Sequence, residues 1–144
     1  MKILFDTSVL IAGLVQSHPK HDRALPWLVR AVEKKDECYL CVHTLMETYA
    51  VLTSLPVSPR ISPSVALNLI ESNFKKHFQI ITLTTQDHWK LLTHLVAQGL
   101  MGGVSYDGLL CQAALKAGVD KILTFNQKDF KRLLEDQTLL LIPE

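Results

Sequence analysis

Short apolar runs alternate along the chain with longer stretches whose apolar residues recur at helical spacing. Ile3-Leu4-Phe5 predicts a first strand, and Ser8 to Val15 a short helix. From His21 to Lys35 the period is again helical, with Leu25, Leu28, Val29 and Val32 on the apolar side. Pro26 predicts either a kink in that helix or its true start. Glu37 to Cys41 predicts a second strand, and a third helix runs from Thr44 to about Leu55. Pro56, Ser58, Pro59 and Ser62 break the pattern. Ser62-Pro63 then places an N-cap before proline at the first helical position, opening a fourth helix that ends near Phe78. Gln79 to Leu83 gives a third strand, Thr85 to Gln98 a helix closed by Gly99, and Met101-Gly102-Gly103 a flexible joint. Ser105 caps a helix ending at Gly118, and Lys121 to Thr124 gives a fourth strand. Asp129 to Leu134 is a short helix, and Leu139 to Ile142 a last strand.

Strands that alternate with helices, and that are apolar almost throughout, imply an α/β fold with a parallel sheet covered on both faces. With 144 residues the chain fits one domain, 1–144, and it shows no repeat, low-complexity stretch or linker. Apolar residues make up 48% of it, and its mean hydropathy of +0.18 is high for so short a chain. Apolar surface covered by another chain accounts for that, as does a core-rich monomer. A net charge of +1 excludes holding duplex DNA by overall charge, so nucleic-acid affinity must come from local patches. Lys128, Lys131 and Arg132 form the patch expected near a substrate, whereas Lys75, Lys76 and His77 read as a solvated helix face. No apolar run approaches a membrane span or a leader segment, and three cysteines argue against a disulfide framework; cytoplasm, with no membrane contact, is the expectation.

Open α/β sheets place their chemistry at the carboxyl ends of the strands. Asp6, Thr7 and Ser8 follow the first strand, and Glu47 falls soon after the second. Asp107 lies at the start of the helix before the fourth strand, and Thr124, Asn126 and Asp129 come at or just after that strand. Each acid has a local explanation. Asp6 and Asp129 suit helix caps, Thr44-Leu45-Met46-Glu47 matches a capping box, and Asp107 suits a helix dipole. None of these explains why the acids gather at one edge. Two unit charges 4 Å apart repel by roughly 4 kcal/mol at an effective dielectric of 20. Clustered carboxylates must therefore protonate or hold a cation, and oxygen ligands alone suit Mg²⁺ or Mn²⁺. Such an ion serves phosphodiester hydrolysis.

Four segments carry a resemblance. They are Phe5-Asp6-Thr7-Ser8-Val9-Leu10-Ile11; Met46-Glu47-Thr48-Tyr49-Ala50-Val51-Leu52-Thr53 with Leu55-Pro56; Asp107-Gly108-Leu109-Leu110-Cys111-Gln112-Ala113-Ala114; and Leu123-Thr124-Phe125-Asn126-Gln127-Lys128-Asp129-Phe130. In this order and spacing the chain resembles the PIN-domain nucleases over nearly its whole length, and within them the VapC-type toxins of toxin–antitoxin pairs. The resemblance implies a three-layer α/β/α domain, hydrolysis of RNA at a Mg²⁺ or Mn²⁺ site, a homodimer, and an antitoxin partner. It implies Asp6 and Asp107 as the main metal ligands, and Glu47 as a further ligand or as the group that orients the attacking water. Thr7 and Thr124 would support the site with hydroxyls. The fourth acidic place is open between Asn126, which stands where some members carry an acid, and Asp129, which supplies that charge or only caps its helix. Gly108 departs from the alanine common after the third acid.

Other motifs carry less. Cys38 and Cys41 have zinc-like spacing, but residues three apart on a strand face opposite sides. His18 and His21 read as surface residues, His43 as a structural histidine near Glu47, and Tyr39, Tyr49, Trp27 and Trp89 as core. No P-loop or G-x-G-x-x-G supports nucleotide binding. The competing readings are a housekeeping RNA-processing nuclease without an antitoxin and a PIN-like binding module that is catalytically silent.

Overall fold

Ile3 and Phe5 face one way from the first strand and Leu4 the other, and this period-two alternation divides the core in two. The computed structural model describes all 144 residues. The elements are β1 (Lys2–Phe5), α1 (Thr7–Leu14), α2 (His21–Val32), β2 (Glu37–Cys41), α3 (Val42–Ser54), α4 (Pro63–Phe74), β3 (Gln79–Ile81), α5 (Thr85–Gln98), α6 (Val104–Ala117), β4 (Lys121–Leu123), α7 (Gln127–Leu133), a 3₁₀ turn (Gln137–Leu139) and β5 (Leu140–Leu141). All strands pair in parallel, in the order β3-β2-β1-β4-β5. Ile3, Phe5, Cys38, Leu40 and Leu123 pack beneath α1, α2 and α4. Leu4, Tyr39, Cys41 and Ile122 pack against α5, α6 and α7. The result is the three-layer α/β/α arrangement expected. Cys38 and Cys41 lie in different halves of this core and are free thiols, as strand geometry requires. No helix is long and apolar enough to cross a membrane.

The α1–α2 pair approaches closely because residue 13 is glycine. A Cβ there would come within 2.4 Å of Leu28 Cδ1 and 2.9 Å of its Cγ. Gly108 plays a similar part between α6 and α5, where a Cβ would meet Leu91 Cδ1 at 2.8 Å. The departure from alanine thus serves packing, and α6 starts before it, at Val104.

Several local readings change. The helix α3 starts at Val42 directly from β2, so Thr44 is not its cap; the Thr44 side chain is fully buried, without a hydrogen-bond partner. Glu47 is consequently free of a capping box and sits in the second turn. Ser105 is likewise inside α6, where its hydroxyl donates to Gly102 O at 2.8 Å. Helix α2 runs from His21 on through Pro26, which lies beyond its first turn and has no N–H to give the helical ladder, so the proline does not mark the start of the helix. The α7 helix begins at Gln127, which places Asp129 in its first turn rather than at its cap. Trp89 is 62% exposed, not core: with Leu92 and Val96 it forms an outward apolar stripe on α5.

Candidate active site

The sheet order turns at β1. The chain moves outward through β2 and β3 on one side, then returns to lay β4 against the other side of β1. The crevice at the carboxyl ends of two such strands is where an open α/β sheet offers a site. Asp6 leaves the end of β1 and Thr124 the end of β4, with Phe5 and Leu123 in register just before them.

Asp6 is only 4% exposed. Its Oδ2 accepts two hydroxyl hydrogen bonds, from Ser8 Oγ and Thr124 Oγ1, each at 2.7 Å. Burial raises its pKa, and those hydroxyls only partly oppose the rise. The Ser8 oxygen also accepts from Phe125 N at 3.1 Å, and the Thr124 oxygen from Asn126 N at 2.8 Å. The backbone after β4 is thereby fastened to the carboxylate after β1.

Asn126 continues the network. Its Nδ2 donates to Asp107 Oδ2 at 3.1 Å and to Asp129 Oδ2 at 3.0 Å. One neutral amide thus bridges two carboxylates that would otherwise repel. Asn126 lines the pocket described below while Asp129, which also faces Arg132 Nη1 at 3.8 Å, does not. Asp107 is half-buried, and its pKa is pushed up to about 7, first by burial and then by Asp6, Asp129 and Glu47. Glu47 is also raised, by burial and by Asp6, while His43 pulls it back. His43 Nε2 lies 3.3 Å from Glu47 Oε2, and its ring stacks parallel on Tyr106 of α6 at 5.4 Å. That contact ties α3 to α6 across the site. Burial and the Asp107 charge raise Cys111 to about 12, so this thiol is not a nucleophile.

Asp6, Thr7, Ser8, Glu47, Asp107 and Asn126 line one pocket of about 340 Å³, together with Ile11, His18, Lys20, Val51, Leu55 and Phe125. Neither Asp6 nor Asp107 has a lysine or arginine nitrogen within ion-pair distance. The Thr7 hydroxyl is buried without a partner. No three acidic, histidine or cysteine side chains close into a ready coordination sphere. Mg²⁺, which keeps several waters and needs only one or two carboxylates, fits such a pocket better than an ion that needs an all-protein cage. Lys128, Lys131 and Arg132 do not line the pocket. Ser8, placed by the sequence at the end of the first strand, does, and so do His18 and Lys20, which sequence reasoning did not assign there: they lie in a turn, where no periodicity marks a direction.

The comparisons with known proteins bear on the family and the fold. The family description "PIN domain" matches residues 3–135. The ribonuclease VapC27 of Mycobacterium tuberculosis is 36% identical over 110 residues, which span 76% of this chain and 74% of that protein. The structure of Mycobacterium tuberculosis VapC20, described as a sarcin-ricin loop cleaving toxin, superposes with a TM-score of 0.70 at 16% identity, covering 90% of this chain and 93% of that one. VapBC2 from Rickettsia felis, bound to a DNA fragment from its promoter, gives a TM-score of 0.68 at 20% identity, with both chains covered in full. This chain belongs to the PIN-domain family and resembles its VapC ribonucleases.

Proposed function

We propose that the protein is an endoribonuclease that hydrolyses RNA phosphodiester bonds with Mg²⁺ or Mn²⁺, and that it acts as the toxin of a toxin–antitoxin pair. The observation that carries this reading is the meeting of Asp6, Glu47 and Asp107 from three distant segments in one pocket, with no lysine or arginine nitrogen within ion-pair distance of Asp6 or Asp107. Asp6 and Asp107 would hold the ion, with Glu47 as a further ligand or as the acceptor that orients the attacking water. The bound ion supplies a more acidic water and charge stabilisation at the phosphate. Thr124 and Ser8 fix the Asp6 carboxylate, Asn126 holds Asp107 beside Asp129, and Thr7 offers an unused hydroxyl. Lys128, Lys131 and Arg132 lie outside the pocket and would meet RNA only beyond the cleavage point. At the Asn126 position, which suggested a silent module, Asp129 accepts from the amide and would supply the fourth charge from outside the pocket lining.

Purified protein should cleave RNA when Mg²⁺ or Mn²⁺ is added and stop when a chelator is present. Asp6→Asn should lower the rate on the order of 10³-fold, the equivalent of several kcal/mol of lost charge stabilisation. Asparagine still accepts the two hydroxyl bonds, so the melting temperature should not fall. An Asp6→Asn protein that cuts as fast as wild type would sink the reading.

A homodimer and an antitoxin complete the proposal. The stripe of Trp89, Leu92 and Val96 is a flat helical face suited to a twofold contact with its own copy. Val96→Asp should shift the protein from dimer to monomer in sedimentation; a wild type that is monomeric at high concentration excludes the dimer. The antitoxin reading rests on the VapBC2 assembly among the structural neighbours. Leu45, Met46, Tyr49, Leu67, Ile70 and Phe74 line an apolar groove between α3 and α4. A chain seated there would press on the helix that carries Glu47. Co-expression with the small protein encoded next to it should yield a stable complex without nuclease activity; two proteins that purify separately would remove this part.

A further inference from the structure

We propose that the turn between α1 and α2 supplies a phosphate-binding element of the site, with the Lys20 ammonium and the His18 Nε2–H engaging the backbone of the bound RNA. The inference rests on the endoribonuclease reading and adds to it the groups that admit a polyanion to an acidic pocket. Even with an ion held by the acids, a pocket walled by carboxylates is a poor host for a nucleic acid, so a cation in its lining that is not already neutralised favours entry. Lys20 is the only lysine or arginine that lines the pocket, and no carboxylate lies within ion-pair distance of it. Its Nζ stands 4.7 Å from the centre of the Phe125 ring, which follows Thr124 directly. The aromatic face holds the ammonium near the Asp6–Thr124 pair while leaving its protons free. Arg23 approaches the same ring at 5.1 Å, but its guanidinium is committed to Pro143 O by two bonds of 3.0 and 2.6 Å.

His18 is set by the same turn. Its Nδ1 accepts the Lys20 backbone N–H at 3.0 Å. With that lone pair occupied, the neutral ring carries its proton on Nε2, which becomes a donor. The turn is fixed at both ends, by His18 N to Val15 O at 2.9 Å, His21 N to His18 O at 3.0 Å and the His21 ring to Ala12 O at 2.9 Å. One short segment thus presents a charged donor and a neutral donor at fixed positions on the rim of the carboxylate pocket.

The test is fluorescence anisotropy with a short labelled single-stranded RNA of mixed sequence, in Mg²⁺, on an Asp6→Asn background so that the probe stays intact. Lys20→Ala should weaken binding by about tenfold and lower the slope of log Kd against log salt by about 0.7, the release of one counter-ion from a single strand. Lys20→Arg should restore the slope. His18→Ala should weaken binding by roughly threefold with the slope unchanged, because it removes a neutral donor. A Lys20→Ala protein that keeps the parent's affinity, or that loses affinity at an unchanged slope, overturns the assignment. Cleavage of total RNA by the unaltered protein is measured alongside. If it cleaves and the Lys20 variants behave as the parent, only this inference falls; if it does not cleave in any divalent ion, the nuclease reading falls first.

Discussion

Replacing Asp107 with asparagine should silence the protein and stabilise it in the same step. Asp107 carries a pKa of about 7 because burial and the charges of Asp6, Asp129 and Glu47 disfavour its ionised form. An unfolded aspartate titrates near 3.9, so the folded, metal-free protein binds the extra proton between about pH 4 and about pH 7. The contribution to stability is therefore fully present below the lower value and is lost as pH rises through the upper one. Above pH 7 the fold carries an ionised carboxylate in a place that opposes it. Asparagine removes that charge and keeps an oxygen to accept from Asn126. Half-burial leaves part of the field to solvent, so of the full shift about 1–2 kcal/mol should be recovered, a melting rise of roughly 3–8 °C. Thermal unfolding in a chelator at about pH 8 and about pH 5 checks it: the variant should melt higher at the first and lose most of its advantage at the second. Cleavage should fall on the order of 10³-fold. A variant that melts below wild type at the higher pH would show that the carboxylate is satisfied as it stands, and the argument for a bound cation would fail.

Magnesium should do for the wild type what asparagine does for the variant. An ion that binds only the folded chain stabilises it by about 2.7 kcal/mol at a hundredfold excess over its dissociation constant. For a chain of this size that is a melting rise on the order of 8 °C. The rise should be larger at about pH 8 than at about pH 5, because protons and the ion compete for the same oxygens. It should shrink to little in Asp107→Asn and in Asp6→Asn. A wild-type melting temperature indifferent to Mg²⁺ and Mn²⁺ at every pH leaves the pocket without its proposed ion.

The parts of this molecule that were legible in the sequence are those whose signal is local and periodic. Ile3-Leu4-Phe5 and Lys121 to Thr124 read as strands because a buried parallel strand is apolar on both sides, and Ser62-Pro63 and Gly99 mark helix ends by their own backbone demands. The same locality misled at Thr44. Its spacing to Glu47 fits a capping box, but β2 passes into α3 without a turn, and the threonine is swallowed by the core. Trp89 misled differently: its apolar neighbours suggested the interior, whereas its helical phase with Leu92 and Val96 turns it outward. In the site, Asp6 and Glu47 were legible as candidates because they follow strand ends, and Asp107 because it opens the helix before the fourth strand. The clamp role of Asn126 and the presence of His18 and Lys20 were not, since both depend on distances across the fold that no spacing encodes.

The bond between Thr124 and Asp6 joins residues 118 positions apart. Synthesis makes one half of that bond long before the other. A growing chain that has not yet released β4 lacks Thr124, Asn126 and Asp129, and so lacks the partners that hold the first and third acids in place. On the nuclease reading, a nascent copy therefore lacks the assembled carboxylate pocket until the segment that carries Thr124 and Asn126 has emerged.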